Sequence, residues 1–215
     1  MPHYAFIWDM DGTLVDSYPA IVPAAQETCA ELGLNYTADY IHRYVICTSV
    51  GTLLREAAAG LGRDPEPIIA RFNQLNDSSI GAIRAMPHAA EALDALCRAG
   101  YRNFIYTHRG QSTFAILEQT GLTPYFTEVL TALSGFPRKP EPDAIRYLLE
   151  KYALAPVESF YVGDRSLDVE AAENAGIGSI LYLDPASPGT ATGRETRLVR
   201  DLAEIPALFP AAQSE

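Results

Sequence analysis

Two aspartates, Asp9 and Asp11, lie one residue apart in the segment AFIWDMDGTLVDS, residues 5–17. The apolar run before them is typical of a strand buried on both faces, so both carboxylates follow the end of a strand. Neighbouring carboxylates disfavour each other's ionisation unless positive charge compensates them. The pair therefore indicates a site that holds a cation, in which a carboxylate can serve as metal ligand or nucleophile.

Other polar side chains follow later predicted strands. Thr107 ends the apolar segment FIYT, and Lys139 follows a strand predicted near residues 129–131. Asp164 and Asp168 come after the apolar residues of SFYVGD. The carboxyl ends of parallel strands meet along one edge of a sheet, where ligands bind. We therefore expect these residues at one rim, with Lys139 and a metal ion compensating the first two aspartates.

This set of groups predicts phosphoryl transfer. Two or three carboxylates that share a hard cation with water and a substrate phosphate are typical of Mg²⁺ sites. An aspartate that Mg²⁺ and a lysine keep ionised can attack phosphorus and form an aspartyl-phosphate. The remaining requirements of the reaction are positioning and neutralisation of charge, which the other groups supply.

The order of predicted elements indicates how the chain positions these residues. From residue 87 onward helical and strand patterns alternate, which favours a parallel, doubly wound sheet that includes the first strand. Residues 17–85 show helical spacing only. We predict an α/β fold, with a Rossmann-like core of residues 1–16 and 86–215 and an all-helical cap of residues 17–85. Residues 185–196 are predicted to be a surface loop before a short final helix.

The composition limits the classes of molecule that the protein is expected to bind. The 215 residues carry a net charge of −11, which argues against nucleic acid because phosphate backbones attract Lys and Arg. No apolar run is long enough for a bilayer, and no secretory signal is expected before the first strand. The three cysteines have no metal-binding or disulfide spacing and indicate thiols in a reducing cytosol. We expect a cytoplasmic monomer or weak homodimer that binds a small phosphorylated metabolite and neither nucleic acid nor membrane.

Four motifs carry a family resemblance. They are DMDGT at residues 9–13, FIYT ending at Thr107, RKPEPD with Lys139, and GDRSLD with Asp164 and Asp168. In this order and over nearly the whole chain, they resemble the haloacid dehalogenase superfamily of phosphohydrolases, in the branch with a helical cap after the first strand. Four motifs in register are far more specific than one.

The resemblance implies roles for the first residues of the site. Asp9 would be the nucleophile and a Mg²⁺ ligand. Asp11 would donate a proton to the leaving oxygen, later take one from water, and bind the metal through its backbone carbonyl. Thr107 would hold a phosphoryl oxygen, and Lys139 would neutralise charge between the nucleophile and the phosphate.

The resemblance also implies roles for two later aspartates, and at one position this chain differs from the family pattern. Asp164 would complete the metal site, and Asp168 would orient Lys139 or a water on the metal. The family often has Asn after the threonine of the second motif, whereas this chain has His108 and Arg109. Either could contact the phosphate or the rest of the substrate, and we include His108 among the predicted substrate-binding residues.

Relatives with other chemistries remain as alternatives. Asp11 favours ester hydrolysis over dehalogenation, because a dehalogenase of this superfamily lacks the second aspartate. A sugar-phosphate mutase is the main alternative, since Arg43 or Arg55 of the cap could hold a second phosphate. A phospho-acceptor signalling module is less favoured, because its acceptor would not normally lie on the first strand before such an insertion. We expect residues 44–56 to face the substrate, with Arg43 or Arg55 in contact with it.

Overall fold

The computed structural model describes residues 3–185 and 189–209. The chain forms two compact units, which we describe separately. The sheet unit consists of Met1–Val15 together with Ala85–Glu215, and the helical unit consists of Asp16–Arg84. None of the helices in the described ranges has the length and apolar character needed to cross a bilayer.

The described residues form eight strands and nine α-helices. The strands are β1 (Ala5–Trp8), β2 (Val15–Asp16), β3 (Arg84–Ala85), β4 (Arg102–Tyr106), β5 (Phe126–Leu130), β6 (Ser159–Gly163), β7 (Gly178–Tyr182) and β8 (Arg197–Val199). The helices are α1 (Tyr18–Glu31), α2 (Ala38–Cys47), α3 (Val50–Gly60), α4 (Pro65–Ser78), α5 (Ala89–Arg98), α6 (Ser112–Gln119), α7 (Asp143–Lys151), α8 (Ser166–Ala175) and α9 (Glu204–Leu208).

The sheet unit contains a six-stranded parallel sheet in the order β5-β4-β1-β6-β7-β8. β1 lies between β4 and β6, with Trp8 opposite Ile105 on one side and Val162 on the other. Its four residues are completely buried, which explains their continuous apolar character. The predicted doubly wound α/β fold is therefore confirmed, and the chain order reverses at β1, where ligand crevices form in such sheets.

Helices cover the sheet through apolar faces. In α5 the buried residues Ala89, Ala92, Leu93 and Leu96 recur at helical spacing. On the sheet itself, Ile7 packs in one cluster with buried residues of neighbouring strands and of helices α7 and α8; among these residues are Phe104, Tyr161, Ile145, Leu148 and Ala172. This packing fixes the strand ends that carry the predicted site residues.

The helical unit has its own apolar core and well-defined helix starts. Helices α1 to α4 share a buried cluster that includes Ile41, Leu54 and Phe72. Thr37 begins α2 by accepting a hydrogen bond from the Tyr40 backbone N–H at 3.2 Å. Side chains of Ser49 and Asp64 cap α3 and α4 in the same way; they accept from the backbone N–H groups of Thr52 and Glu66.

Several short elements were not predicted from the sequence. β8 continues the sheet edge directly after the segment predicted to be a loop, whose residues 186–188 lie outside the described residues. β2 and β3 pair with each other and have two residues each, too few to show a strand period. The individual helix α2 was also missed, although helical structure was expected throughout this segment.

Candidate active site

Asp9 lies directly after β1, in the middle of the sheet. Its backbone N–H donates to the Val162 carbonyl of β6 at 2.8 Å, and the residue is 1% exposed. The chain then turns sharply at Gly12, whose φ of +79° suits a residue without a Cβ. Asp11 precedes this turn, and its side chain remains 22% exposed. The two aspartates of the first motif therefore occupy different environments, one buried and one partly open to solvent.

Lys139 connects two buried carboxylates. Its Nζ lies 3.0 Å from Oδ1 of Asp9 and 2.7 Å from Oδ1 of Asp168, and it also donates to the Tyr161 hydroxyl at 3.0 Å. That hydroxyl in turn donates to the Tyr106 carbonyl at 2.6 Å. The ammonium group thus has a partner for each of its three protons. Tyr161 was missed in the sequence, where it reads as one more buried residue of a strand.

The environment keeps Asp9 ionised. Burial raises the pKa of Asp9, but the positive charges of Lys139 and Arg165 outweigh burial, so that this pKa lies below its ordinary value of 3.8. The Arg165 guanidinium lies 3.4 Å from Oδ2 of Asp9. The pKa of Asp168 is raised, first by burial and then by the negative charge of Asp9, although Lys139 opposes both effects. An ionised carboxylate is the form that can act as a nucleophile.

Three carboxylates of the sheet unit could hold a metal ion. Asp9, Asp164 and Asp168 each offer an oxygen within 4.8 Å of the others. An all-oxygen set of this kind suits a hard divalent cation. Asp168 is already engaged, since it binds Lys139 and accepts from the Arg165 backbone N–H at the start of α8. Asp9 and Asp164 also have partners, since Asp9 contacts Lys139 and Arg165, and Asp164 accepts from the Thr13 hydroxyl at 3.2 Å. The resemblance predicts Asp9 and Asp164 as direct ligands, with Asp168 in support.

Asp11 has a partner that the sequence did not identify. The Arg109 guanidinium holds its carboxylate in a fork, with Nε at 2.9 and 3.1 Å from the two oxygens and Nη2 at 2.7 Å from Oδ1. Lys139 and a metal ion were expected to compensate both aspartates of the motif. The structure assigns Lys139 to Asp9 and Arg109 to Asp11. The predicted metal contact of Asp11 involves its backbone carbonyl and does not depend on this pair.

Thr107 follows β4 and is almost completely buried. Its backbone N–H donates to the Leu130 carbonyl of β5 at 3.0 Å, which fixes the end of the strand. Its hydroxyl oxygen accepts from the Arg109 backbone N–H at 3.1 Å. Because a hydroxyl that accepts one hydrogen bond can still donate its own proton, Thr107 retains the donor that its predicted role requires.

His108 supports the loop that carries Lys139. Its Nε2 accepts the Lys139 backbone N–H at 2.8 Å. Burial, followed by the positive charges of Lys139, Arg138 and Arg165, lowers the pKa of His108 to about 2. The imidazole is therefore neutral at physiological pH, as an acceptor must be. This geometry assigns His108 a structural contact with the lysine loop.

Replacing His108 by Asn should make folding stability less dependent on pH. The folded pKa of about 2 lies below the ordinary value of 6.5, so the unfolded state binds more protons between these values. The free energy of unfolding therefore falls as the pH drops below 6.5. Between pH 6.5 and 5, His108 lowers it by about 2 kcal/mol. Asn does not titrate, and the loss of the Nε2 acceptor lowers stability by the same amount at both pH values. Urea unfolding at pH 7 and pH 5 should show a smaller loss for the variant.

A second histidine, His88, serves as a control because its replacement should change the pH dependence of stability in the opposite direction. His88 is exposed, and its hydrogen bond and charge interaction with Asp201 raise its pKa. A raised folded pKa gives stability that is present below the unfolded pKa and lost as pH rises, so His88→Asn should steepen the loss on acidification. Equal pH dependence for wild type and His108→Asn would contradict the role assigned to His108.

The predicted substrate residues of the helical unit have different surroundings. Arg43 of α2 is exposed and pairs with Asp39, one helical turn away, at 3.0 Å. Arg55 of α3 is also exposed, and among the described residues no carboxylate lies within ion-pair distance of it. The segment of residues 44–56 comprises the end of α2, the start of α3 and the turn between them.

Comparisons with known proteins relate the whole chain to one family. Residues 6–182 match the family described as haloacid dehalogenase-like hydrolase. A plasmid phosphoglycolate phosphatase of Cupriavidus necator is 32% identical over 99% of this chain and 96% of its own length. A phosphoglycolate phosphatase of Vibrio vulnificus is 31% identical over 80% of each chain. A solved structure of a predicted phosphoglycolate phosphatase from Haemophilus somnus shares the fold, with a TM-score of 0.81 and 21% identity over 98% of this chain and 99% of that one.

Proposed function

The chain belongs to the haloacid dehalogenase-like hydrolase family and is a phosphatase of that family, and we propose that it hydrolyses a small phosphorylated metabolite with Mg²⁺ through an aspartyl-phosphate on Asp9. The observation that carries this proposal is the state of Asp9. Its carboxylate is buried at the carboxyl end of the central strand and kept ionised by Lys139 and Arg165. A buried, charged carboxylate at this position is suited to attack an anionic phosphorus centre only where cations surround it.

The proposed reaction has two displacement steps. First, a carboxylate oxygen of Asp9 attacks phosphorus, the bond from phosphorus to the leaving oxygen breaks, and Asp11, which enters this step as the carboxylic acid, donates its proton to that oxygen. Thr107 donates a hydrogen bond to a phosphoryl oxygen, and Lys139 neutralises charge between that group and Asp9. Second, Asp11 takes a proton from water as the water attacks phosphorus, which releases phosphate and restores Asp9.

The metal site of this proposal consists of oxygen ligands only. The carboxylates of Asp9 and Asp164 and the backbone carbonyl of Asp11 would hold Mg²⁺, with Asp168 in support. When bound, the ion supplies positive charge next to the phosphoryl group. Phosphoglycolate, the substrate named for the relatives from Cupriavidus and Vibrio, is the first candidate, and sugar phosphates and nucleotides should be compared with it.

Metal removal tests the proposal directly. We expect exhaustive chelation to abolish release of phosphate from an aryl phosphate and from phosphoglycolate, because Lys139 and Arg165 offset only part of the charge of the three carboxylates that face the anionic phosphate. Addition of Mg²⁺ should restore both activities, and circular dichroism should show an unchanged fold. Undiminished turnover by the metal-free protein would contradict the metal assignment, and lack of activity on every phosphate ester in the presence of Mg²⁺ would contradict the proposed function.

We further propose that the helical unit acts as the cap and contributes one arginine to substrate binding. Arg55 is the first choice, because Arg43 already has a carboxylate partner in Asp39. Arg55→Ala should raise KM for the true substrate by about ten- to a hundredfold, which corresponds to roughly 1.4–3 kcal/mol. An aryl phosphate, which makes little use of a cap, should be hydrolysed almost as before.

Steady-state kinetics with both substrates give the decisive comparison for the cap. Arg43→Ala is compared with Arg55→Ala, since it also removes one exposed arginine, from the neighbouring helix α2. Equal losses on both substrates, or no loss for either arginine, would show that other residues determine specificity.

A further inference from the structure

Arg109 is a buried arginine beside the proposed catalytic groups. It lies two residues after Thr107, and its side chain is 4% exposed. Besides the fork to Asp11, its Nη1 donates to the Ser112 hydroxyl at the start of α6 at 3.3 Å. The guanidinium compensates the charge of Asp11, and it also fixes the direction in which that carboxylate faces.

The pair restricts what Asp11 can do. In the proposed reaction Asp11 must face the leaving oxygen of the substrate, whereas in this structure both of its carboxylate oxygens are turned to Arg109. The guanidinium and the leaving oxygen therefore compete for the same carboxylate. A second anion that takes over the guanidinium would release Asp11 for catalysis.

The geometry suits a carboxylate as that second anion. The planar guanidinium binds carboxylates through two parallel N–H groups, which is how Arg109 already binds Asp11. Asp11 is the more exposed partner, at 22% against 4% for Arg109. An anion arriving from solvent would therefore reach the guanidinium by taking the place of Asp11.

The fork to Asp11 sets where that anion would lie. The Arg109 backbone N–H donates to the hydroxyl oxygen of Thr107, the residue proposed to hold a phosphoryl oxygen. The guanidinium itself contacts Asp11, which is two residues after the proposed nucleophile Asp9. An anionic group that replaces Asp11 on the guanidinium would therefore lie close to a phosphate bound at Asp9, within a compact molecule.

We propose that Arg109 determines specificity by recognising a carboxylate next to the phosphate ester of the substrate, in exchange for Asp11. Binding of that carboxylate frees Asp11 to face the leaving oxygen. Small phosphorylated carboxylic acids are the substrate class that this exchange favours. The inference rests on the proposed phosphatase function and adds the chemical group that the enzyme selects.

Two matched esters test this exchange. Phosphoglycolate and 2-hydroxyethyl phosphate have the same carbon skeleton. Phosphoglycolate ends in a carboxylate, and 2-hydroxyethyl phosphate has a hydroxymethyl group in its place. We expect Arg109→Met to lower the ratio of kcat/KM for phosphoglycolate to kcat/KM for 2-hydroxyethyl phosphate at least about tenfold relative to wild type. Arg109→Lys retains the charge but not the two parallel N–H groups of the guanidinium, and it should show the same selective loss. If the Met variant does not fold, the Lys variant tests whether Arg109 recognises the carboxylate. Arg98→Met, which removes an exposed arginine of α5, should change neither substrate.

The outcomes separate this inference from the proposed function. Equal losses on both esters, or no loss on either, would overturn the role of Arg109 in recognition. A wild-type enzyme that hydrolyses 2-hydroxyethyl phosphate but not phosphoglycolate would overturn the inference and leave the phosphatase proposal standing. Hydrolysis of neither ester, nor of an aryl phosphate, with Mg²⁺ present would overturn both.

Discussion

Asp9→Asn is expected to lower kcat at least about a thousandfold and to abolish formation of a phosphoenzyme. The amide that replaces the carboxylate is a poor nucleophile and lacks the negative charge that Lys139 and Arg165 surround. The measurement is turnover on phosphoglycolate and an aryl phosphate, together with acid-quench trapping of the phosphorylated protein. Asp94→Asn, which removes a partly exposed carboxylate of α5, is the matched control and should leave both readouts unchanged.

The structure indicates that this variant will fold. Asn has nearly the same shape as Asp, and Lys139 keeps its contacts with Asp168 and the Tyr161 hydroxyl. The substitution also removes one of two negative charges that share the same ammonium. A folded Asp9→Asn protein with near-normal kcat, or one that still forms an acid-stable phosphoenzyme at another residue, would contradict the nucleophile assignment.

The groups on the sheet could be predicted because strand ends are visible in the sequence. The run Ala5–Trp8 is apolar throughout since β1 is covered on both faces, and the polar residue that follows such a run must lie at the rim. The same reasoning places Thr107 after β4 and Asp164 after β6. The apolar runs in the sequence therefore predict that these residues lie at the carboxyl ends of their strands.

Pairing between distant side chains could not be predicted in this way. Arg109 and Asp11 are 98 residues apart in the chain, and the contact depends on side-chain conformations that no local pattern encodes. The Tyr161 hydroxyl was missed for a related reason, since a tyrosine in a buried strand looks like any large apolar residue until its partner is known. β8 was missed because three residues are too short a segment to show a period.

Lys139→Met should destabilise the fold by about 3–5 kcal/mol and lower kcat at least about a hundredfold. The substitution leaves two fully buried carboxylates, Asp9 and Asp168, without the ammonium that lies between them. Arg165 is 3.4 Å from Asp9 and compensates only part of this charge. Urea unfolding and turnover on an aryl phosphate measure the two effects. Lys151 is the other lysine of the chain and lies exposed at the end of α7, so Lys151→Met is a matched control expected to stay near wild type in both.

The pH dependence of the Lys139→Met defect distinguishes uncompensated charge from lost packing. In wild type the pKa of Asp9 is lowered, so its contribution to stability is present above the unfolded pKa and is lost as pH falls. In the variant both carboxylates should have raised pKa values, which give a penalty at neutral pH that protonation removes. The difference in unfolding free energy between wild type and variant should therefore shrink as pH falls from 7 towards about 4. A difference that stays constant over this range would show that Lys139 contributes through the packing of its carbon chain, and that the two aspartates do not depend on its charge.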